Sequence, residues 1–470
     1  MELARDGVLT LAERQRWALE EFGTAELGDA RRTRRLVKLA AQMAGDSSGS
    51  IPRQTQTTAD MKAAYRLFTA EDVTHEAICR PHFERTRTEA ARLPRVYLIQ
   101  DPTQLNMTSH AHCEGLSPIG RGEMLGLHQQ NVLAVNPATR RPLGLMYQRH
   151  PRRPQRGPDH TRADKRRVPL SERESYWWVE AIRSIGTPPP GVRWVHVGDR
   201  AEDVFGVYDE CRAQHTDWLI RAAYDRRVQT SAGEESLMSY ARHLPAMVQR
   251  ELTVKNKSQG GTRQALVQVG AGPVSLLPAK GEPEYRGREP IPCWIVRVWE
   301  PQPPEGVEPL EWILLTSLPC ETGVQALEVA QGYALRWIIE EFHKCEKTGC
   351  QVEALQLTHI DRLEPLIGLL SVLAVWLLKL KFMARDEPEQ PATELFDEQT
   401  VEVMARYLKR PAAGLTVGAF WRGIGRLGGH PGRKGDGPLG WLRAWRGWQS
   451  FQLILLGADL FTEKPERKCG

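Results

Sequence analysis

The sequence predicts an α/β core interrupted by an antiparallel β insertion and flanked by helical segments at both ends. Two apolar, β-rich runs, RVYLIQDPTQL and RWVHVGDRAEDV, reach Asp101 and Asp199, and the second leads into a helix-like segment. Residues from about 235 to 310 are rich in Gly and Pro and alternate in short runs such as RQALVQV and CWIVRVW. Helical patterning dominates before about residue 95 and after about residue 385.

Taken in order, residues from about 10 to 75 read as helical, with an amphipathic start and a basic first third. Residues 76 to 95 continue helical and lead into the strand carrying Asp101. A hairpin follows, LGLHQQNVLAV and RRPLGLMYQ, joined by the turn NPAT. A basic, Pro- and Gly-containing loop precedes the helix-like ESYWWVEAIRSIG. The strand ending at Asp199 leads into EDVFGVYDECRAQ, read as a helix, and DWLIRAAY reads as a further strand. After the insertion, EWILLTSLP returns to a buried strand, and YALRWIIEEFHKCEKTG, Tyr333 to Gly349, reads as one helix. The division expected is residues 1–75, a core at 76–384 and a helical tail at 385–470.

With 470 residues the chain is long enough for two or three domains, and 41% apolar with 26% charged content describes an ordinary soluble protein. The net charge of +5 is modest, so its distribution matters more than its total. Arg31, Arg32, Arg34, Arg35 and Lys38 cluster near the start, and eight Arg and Lys residues lie between Arg149 and Arg167. Such clusters suit an electrostatic footprint for DNA or a solubilising surface. The cysteines show no zinc-like spacing and read as buried free thiols of a cytoplasmic protein. The first twenty residues lack the apolar core of a secretory signal. The apolar run Leu366–Leu378 is too short to span a membrane and reads as a buried helix, so no membrane partner is expected.

At roughly 100° per residue, Tyr333, Arg336, Glu340 and Lys347 share a sector of about 60° on the expected helix. Leu335, Ile338, Ile339, Phe342 and Cys345 point the other way. Glu341 is adjacent but about 100° out of phase. A carboxylate flanked by cations suits a metal-dependent site on a nucleic-acid backbone; a solvated charged face is the alternative. Asp101 and Asp199 just past the ends of buried strands sit where open α/β sheets place ligands, or cap a turn. Three carboxylates from separate elements can hold two divalent cations, which activate water and stabilise the leaving oxygen of a phosphodiester. Arg336 and Lys347 fit phosphate, the first with two hydrogen bonds.

The pattern Y-x2-R-x3-E-x6-K, with the surrounding WIIEEFHKCEKTG, resembles the signature of bacterial cut-and-paste DDE transposases of the IS-four superfamily, typified by the Tn-five transposase. ELGDARRTRRLVKLAAQMA and KAAYRLF resemble that family's amino-terminal DNA-binding region, and GRKGDGPLGWLRAWRGWQ its carboxy-terminal region. The resemblance implies a ribonuclease H-like catalytic core with an inserted β subdomain, an end-DNA-binding domain at 1–75 and a dimerising tail. It implies Asp101, Asp199 and Glu340 as the catalytic metal ligands, with two Mg²⁺ ions that Mn²⁺ replaces. It implies DNA contacts from Tyr333, Arg336, Lys347 and Arg221, and from Arg31, Arg32, Arg35, Lys62 and Arg66; Arg200, directly after Asp199, either orients that carboxylate or contacts DNA. It also implies a base stacked on Trp312, and partners consisting of transposon ends, target DNA and a second subunit. Two departures stand out: Pro102 follows Asp101 where a small polar residue is usual, and Trp177 occupies a position that is commonly lysine. His128 follows on the next strand and reads as a core residue.

The activity implied is cutting of both strands at transposon ends, through a hairpin, and joining of the 3′ ends to target DNA. A metal-dependent nuclease or recombinase without strand transfer uses the same carboxylates. A DNA-binding regulator derived from a transposase would be expected to lose triad residues or the basic segment, and this chain keeps both.

Overall fold

The computed structural model describes residues 11–55, 57–110, 112–120, 123–153, 168–255, 262–278, 283–433 and 439–462. The chain folds into two compact units, one of residues 1–85, 104–127 and 341–470, the other of residues 86–103 and 128–340. The helices of both ends therefore belong to one unit, whereas the sequence reading separated them.

In this helical unit the side chain of Asp29 accepts from Arg31 N at 2.8 Å and caps the helix Ala30–Gly45. Thr57 does the same for Thr58–Leu67, accepting from Asp60 N at 3.1 Å. Leu36, Leu39 and Ala40 form the inward stripe of the first of these helices. The unit's longest helix, Ile360–Asp386, is apolar enough to span a membrane, but 83% of its most apolar stretch is buried in protein. It is a core helix, as the run Leu366–Leu378 predicts. Trp376 on it lies 5.3 Å from Trp17 of the helix Leu11–Phe22. The helices Glu398–Leu408, Val417–Leu427 and Trp441–Thr462 follow, with Phe420 stacked on Phe396 at 3.9 Å and edge-on to Phe451 at 5.3 Å.

The second unit is built on a mixed sheet. Its core strands are β1 (Arg95–Asn106), β2 (Leu125–Asn136), β3 (Arg141–Arg149), β4 (Arg193–Gly198) and β5 (Asp217–Arg221). The insertion supplies β6 (Arg227–Thr230), β7 (Gly233–Ser236), β8 (Val248–Lys255), β9 (Thr262–Leu276) and β10 (Ile291–Trp299), and β11 (Glu311–Thr316) returns from it. The order across the sheet is β2-β1-β4-β5-β11-β10-β9-β6-β7, with β3 on β2 and β8 on β9. β1, β4 and β5 are parallel, and β11 joins β5 antiparallel. The insertion therefore extends the core sheet through β11 and β10 instead of forming a detached sheet. Gln100 bonds His196 Nδ1 at 3.1 Å and Gln130 at 3.3 Å, a buried polar tie between β1, β4 and β2 just before Asp101.

Three local expectations change. Asp101 lies within β1, not beyond its end. Pairing of β1 with β4 runs from Arg95 to Ile99 only, so Pro102 falls past the last residue that needs a donor on that side. EDVFGVYDECRAQ is not helical from its start: Glu202 closes a 3₁₀ turn, Arg200–Glu202, and the helix is Phe205–Ala213. Tyr333–Gly349 is not one helix: Gly323–Ala334 ends, Trp337–Lys344 begins, and Cys345–Gly349 is a π turn. Across the break the hydrogen bonds tighten to i−3, from Leu335 N to Gly332 O through Ile339 N to Arg336 O. The expected apolar face survives: Ile338, Ile339, Phe342 and Cys345 are buried.

Candidate nucleic-acid cleavage site

Asp101, Asp199, Glu340, Arg336, Tyr333, Trp312, Arg221 and Arg200 all fall in the sheet unit. Asp199 follows β4 and turns the chain: its Oδ1 accepts from Ala201 N at 2.7 Å, capping the 3₁₀ turn. The turn is pinned by Asp203, whose buried carboxylate accepts from Tyr208 Oη at 2.6 Å, from Ala223 N at 2.7 Å and from the Arg226 guanidinium. Asp101 is brought alongside by the parallel register of β1 on β4.

Arg336 ties the third carboxylate to the first. Its Nη2 donates to Glu340 Oε1 at 2.7 Å, and its Nη1 stands 3.8 Å from Asp101 Oδ2. The guanidinium also lies over the Trp337 ring, 5.0 Å from its centroid. Burial raises the Asp101 carboxyl to about 7; Arg336 opposes that rise, while Asp199 and Glu340 add to it. Asp199 and Glu340 thus each repel Asp101, and one guanidinium stands between Asp101 and Glu340. Among the described residues no three acidic, His or Cys side chains are drawn close enough to grip one ion. The donor chemistry nonetheless fits hard divalent cations, since all three side chains offer oxygens and their mutual repulsion is what a cation relieves.

The remaining residues line the same place. The Tyr333 phenol is buried, which raises it, with Arg336 and Arg221 acting against that rise. Arg221 also donates to Glu311 O at 3.0 Å. Trp312 is half-buried rather than core, and stands edge-on to Tyr333 at 5.4 Å and 65°. Arg200 is exposed on the turn after Asp199. Lys347 is not among these residues. It belongs to the helical unit, where Nζ donates to Gln104 O at 2.6 Å and lies 3.8 Å from Glu353. Glu341 is occupied in that unit by the Lys381 ammonium and by Trp441 Nε1 at 2.7 Å, and so serves as an anchor. His128 is buried against Trp177 at 5.2 Å, as its core reading predicts.

The sequence reading passed over Glu202. Its side chain is fully buried, and neither oxygen finds a hydrogen-bond partner among the described residues. Burial pushes its carboxyl well above the usual range, and Asp199 and Asp101 add to that. It stands three residues after Asp199 in DRAEDV, a stretch that by pattern alone reads only as the start of a helix.

In the amino-terminal helices the basic residues separate into two groups. Arg32 pairs with Asp72 at 2.7 Å, Arg35 with Asp60 at 2.7 Å and Lys38 with Asp60 at 2.8 Å, so these tie helices together. Arg31 is 82% exposed beside Asp29, and Arg34, Lys62 and Arg66 are exposed with no acidic partner among the described residues. Of the second basic cluster, Arg149 pairs with Glu180 and Arg153 with Glu174, while Arg156, Arg162, Lys165, Arg166 and Arg167 lie outside the described residues.

Two family models match the chain. Residues 14–73 match the one described as transposase DNA-binding, which takes in all the basic residues just discussed from Arg31 to Arg66. Residues 195–377 match the transposase DDE domain, which takes in Asp199, Trp312, Arg336 and Glu340 and begins beyond Asp101.

Proposed function

We propose, for a chain that is a DDE transposase with its own DNA-binding domain, that it is a cut-and-paste enzyme of the IS-four, Tn-five-like kind. It binds inverted repeats at transposon ends, cuts both strands there and joins the freed 3′ ends to target DNA. The observation that carries this reading is Arg336 set between Asp101 and Glu340, with Asp199 acting on Asp101, beside Tyr333, Arg221 and the half-buried Trp312.

Asp101, Asp199 and Glu340 are the ligands in this reading, for two Mg²⁺ or Mn²⁺ ions. Bound divalent cations supply an activated water and offset charge on the phosphate as its ester bond breaks. Arg336 holds the Glu340 carboxylate in place until DNA arrives, then turns its guanidinium to a phosphate, which it grips with two parallel hydrogen bonds. Tyr333 donates its hydroxyl to a neighbouring phosphate oxygen, and Arg221 and Arg200 lend positive charge along the strand. Half-buried Trp312 offers its ring to a base turned out of the stack, which fits a strand end bent into a hairpin. Lys347 of the helical unit is a further phosphate contact in this reading. A second subunit supplies the other bound end.

The test is replacement of the ligands one at a time. Asp101→Ala, Asp199→Ala and Glu340→Ala are each expected to abolish Mg²⁺-dependent nicking while gel shifts on end DNA stay near wild type. Near-normal nicking by any one of them removes that residue from the site.

A further inference from the structure

We propose that Glu202 is an additional carboxylate of the cation site, binding a divalent ion next to Asp199 directly or through one water. This inference rests on the DDE reading above. A fully buried acid with both oxygens unpaired is costly, and such a group in a folded protein calls for an explanation. Its position is not an accident of a loose loop. Asp199 fixes one end of the turn through its cap on Ala201, and Asp203 fixes the other through Tyr208, Ala223 and Arg226. Glu202 N also donates to Asp199 O at 3.3 Å.

Room has been made for the carboxyl. It occupies the space that a side chain at position 198 would fill: a Cβ on Gly198 would lie 1.5 Å from Glu202 Oε2 and 2.4 Å from its Cδ. Gly198 is the last residue of β4, directly before Asp199. The acid is thus seated under the strand tip that presents a ligand. A carboxylate kept there without a donor costs stability in the ion-free protein and restores it when a cation binds. Such local conflict with packing rules concentrates at functional sites.

The measurement is Mn²⁺ binding to the full-length protein by electron paramagnetic resonance, with the Mn²⁺-induced rise in Tm as a second readout. Neither requires catalysis. Glu202→Gln and Glu202→Met are expected to bind Mn²⁺ about tenfold more weakly than wild type and to show a smaller Mn²⁺-induced shift. Glu202→Met, which removes the unpaired polar atoms, is expected to keep or raise Tm without metal. Affinity within twofold of wild type in both variants overturns the proposal, as does a Met variant whose Tm falls while its Mn²⁺ affinity holds. Asp199→Asn separates the two levels. If it no longer binds Mn²⁺ and the Glu202 variants still do, only this inference fails; if it binds Mn²⁺ normally, the DDE reading fails with it.

Discussion

Arg336 serves the ion-free and the DNA-bound protein in different ways. Paired to Glu340 and near Asp101, it offsets charge that would otherwise drive the acids apart. In the proposed reading, once released to a phosphate it stabilises a bent strand end together with Trp312. The first nick needs only water and ions, whereas the hairpin needs unstacked, deformed DNA, at a cost of a few kcal/mol. Stacking on an aromatic side chain is worth about 1–3 kcal/mol per base. Trp312→Ala and Arg336→Ala are therefore expected to accumulate nicked ends, with hairpins reduced roughly tenfold or more on denaturing gels. An equal fall in both products would mean a folding or general binding role. Helical phase alone sets Glu340 apart from Glu341: Glu340 pairs with Arg336, and Glu341 with Lys381 and Trp441. Glu202 was invisible to that reasoning, because an acid's lack of partners is a property of packing and leaves no mark on spacing.

Elements were legible where periodicity sets them. The hairpin of β2 and β3, the buried helix Ile360–Asp386 and the alternating strands of the insertion follow residue pattern directly. The break before Trp337 was not legible. No Pro interrupts it; the change lies in hydrogen-bond spacing, which tertiary packing sets. At the amino-terminal end, two helices are held by Asp60 between Lys38 and Arg35, whose hydrogen bonds draw its carboxyl from 3.8 down to about 2. A depressed acid contributes in full above its unfolded value, so this tie is complete above about pH 4 and disappears as pH falls toward 2. Asp60→Asn should lower Tm at pH 7, and the gap to wild type should narrow by pH 3 and close as the pH falls toward 2. A gap that is unchanged in acid would place the stabilisation elsewhere.

For the molecule as a whole, charge is apportioned between fold and ligand. Removing residues 1 to 70 would delete the DNA-binding segment but also strip Trp376 of Trp17. Loss of end binding in that truncation would not distinguish recognition from collapse. A cleaner variant replaces the exposed Arg31, Arg34, Lys62 and Arg66 with Gln. It is expected to keep its Tm and to bind ends with a shallower salt dependence, the slope of log K against log salt falling by about 0.9 for each phosphate no longer neutralised. An unchanged slope would move the footprint away from these helices. The pairing of Trp17 with Trp376 also has a consequence in time. The partners are separated by most of the chain, and synthesis proceeds at roughly 5–20 residues per second. For a period on the order of half a minute, the first helices leave the ribosome with the indole face of Trp17 uncovered, and a message cut short before Trp376 yields a polypeptide that never closes this part of its interior.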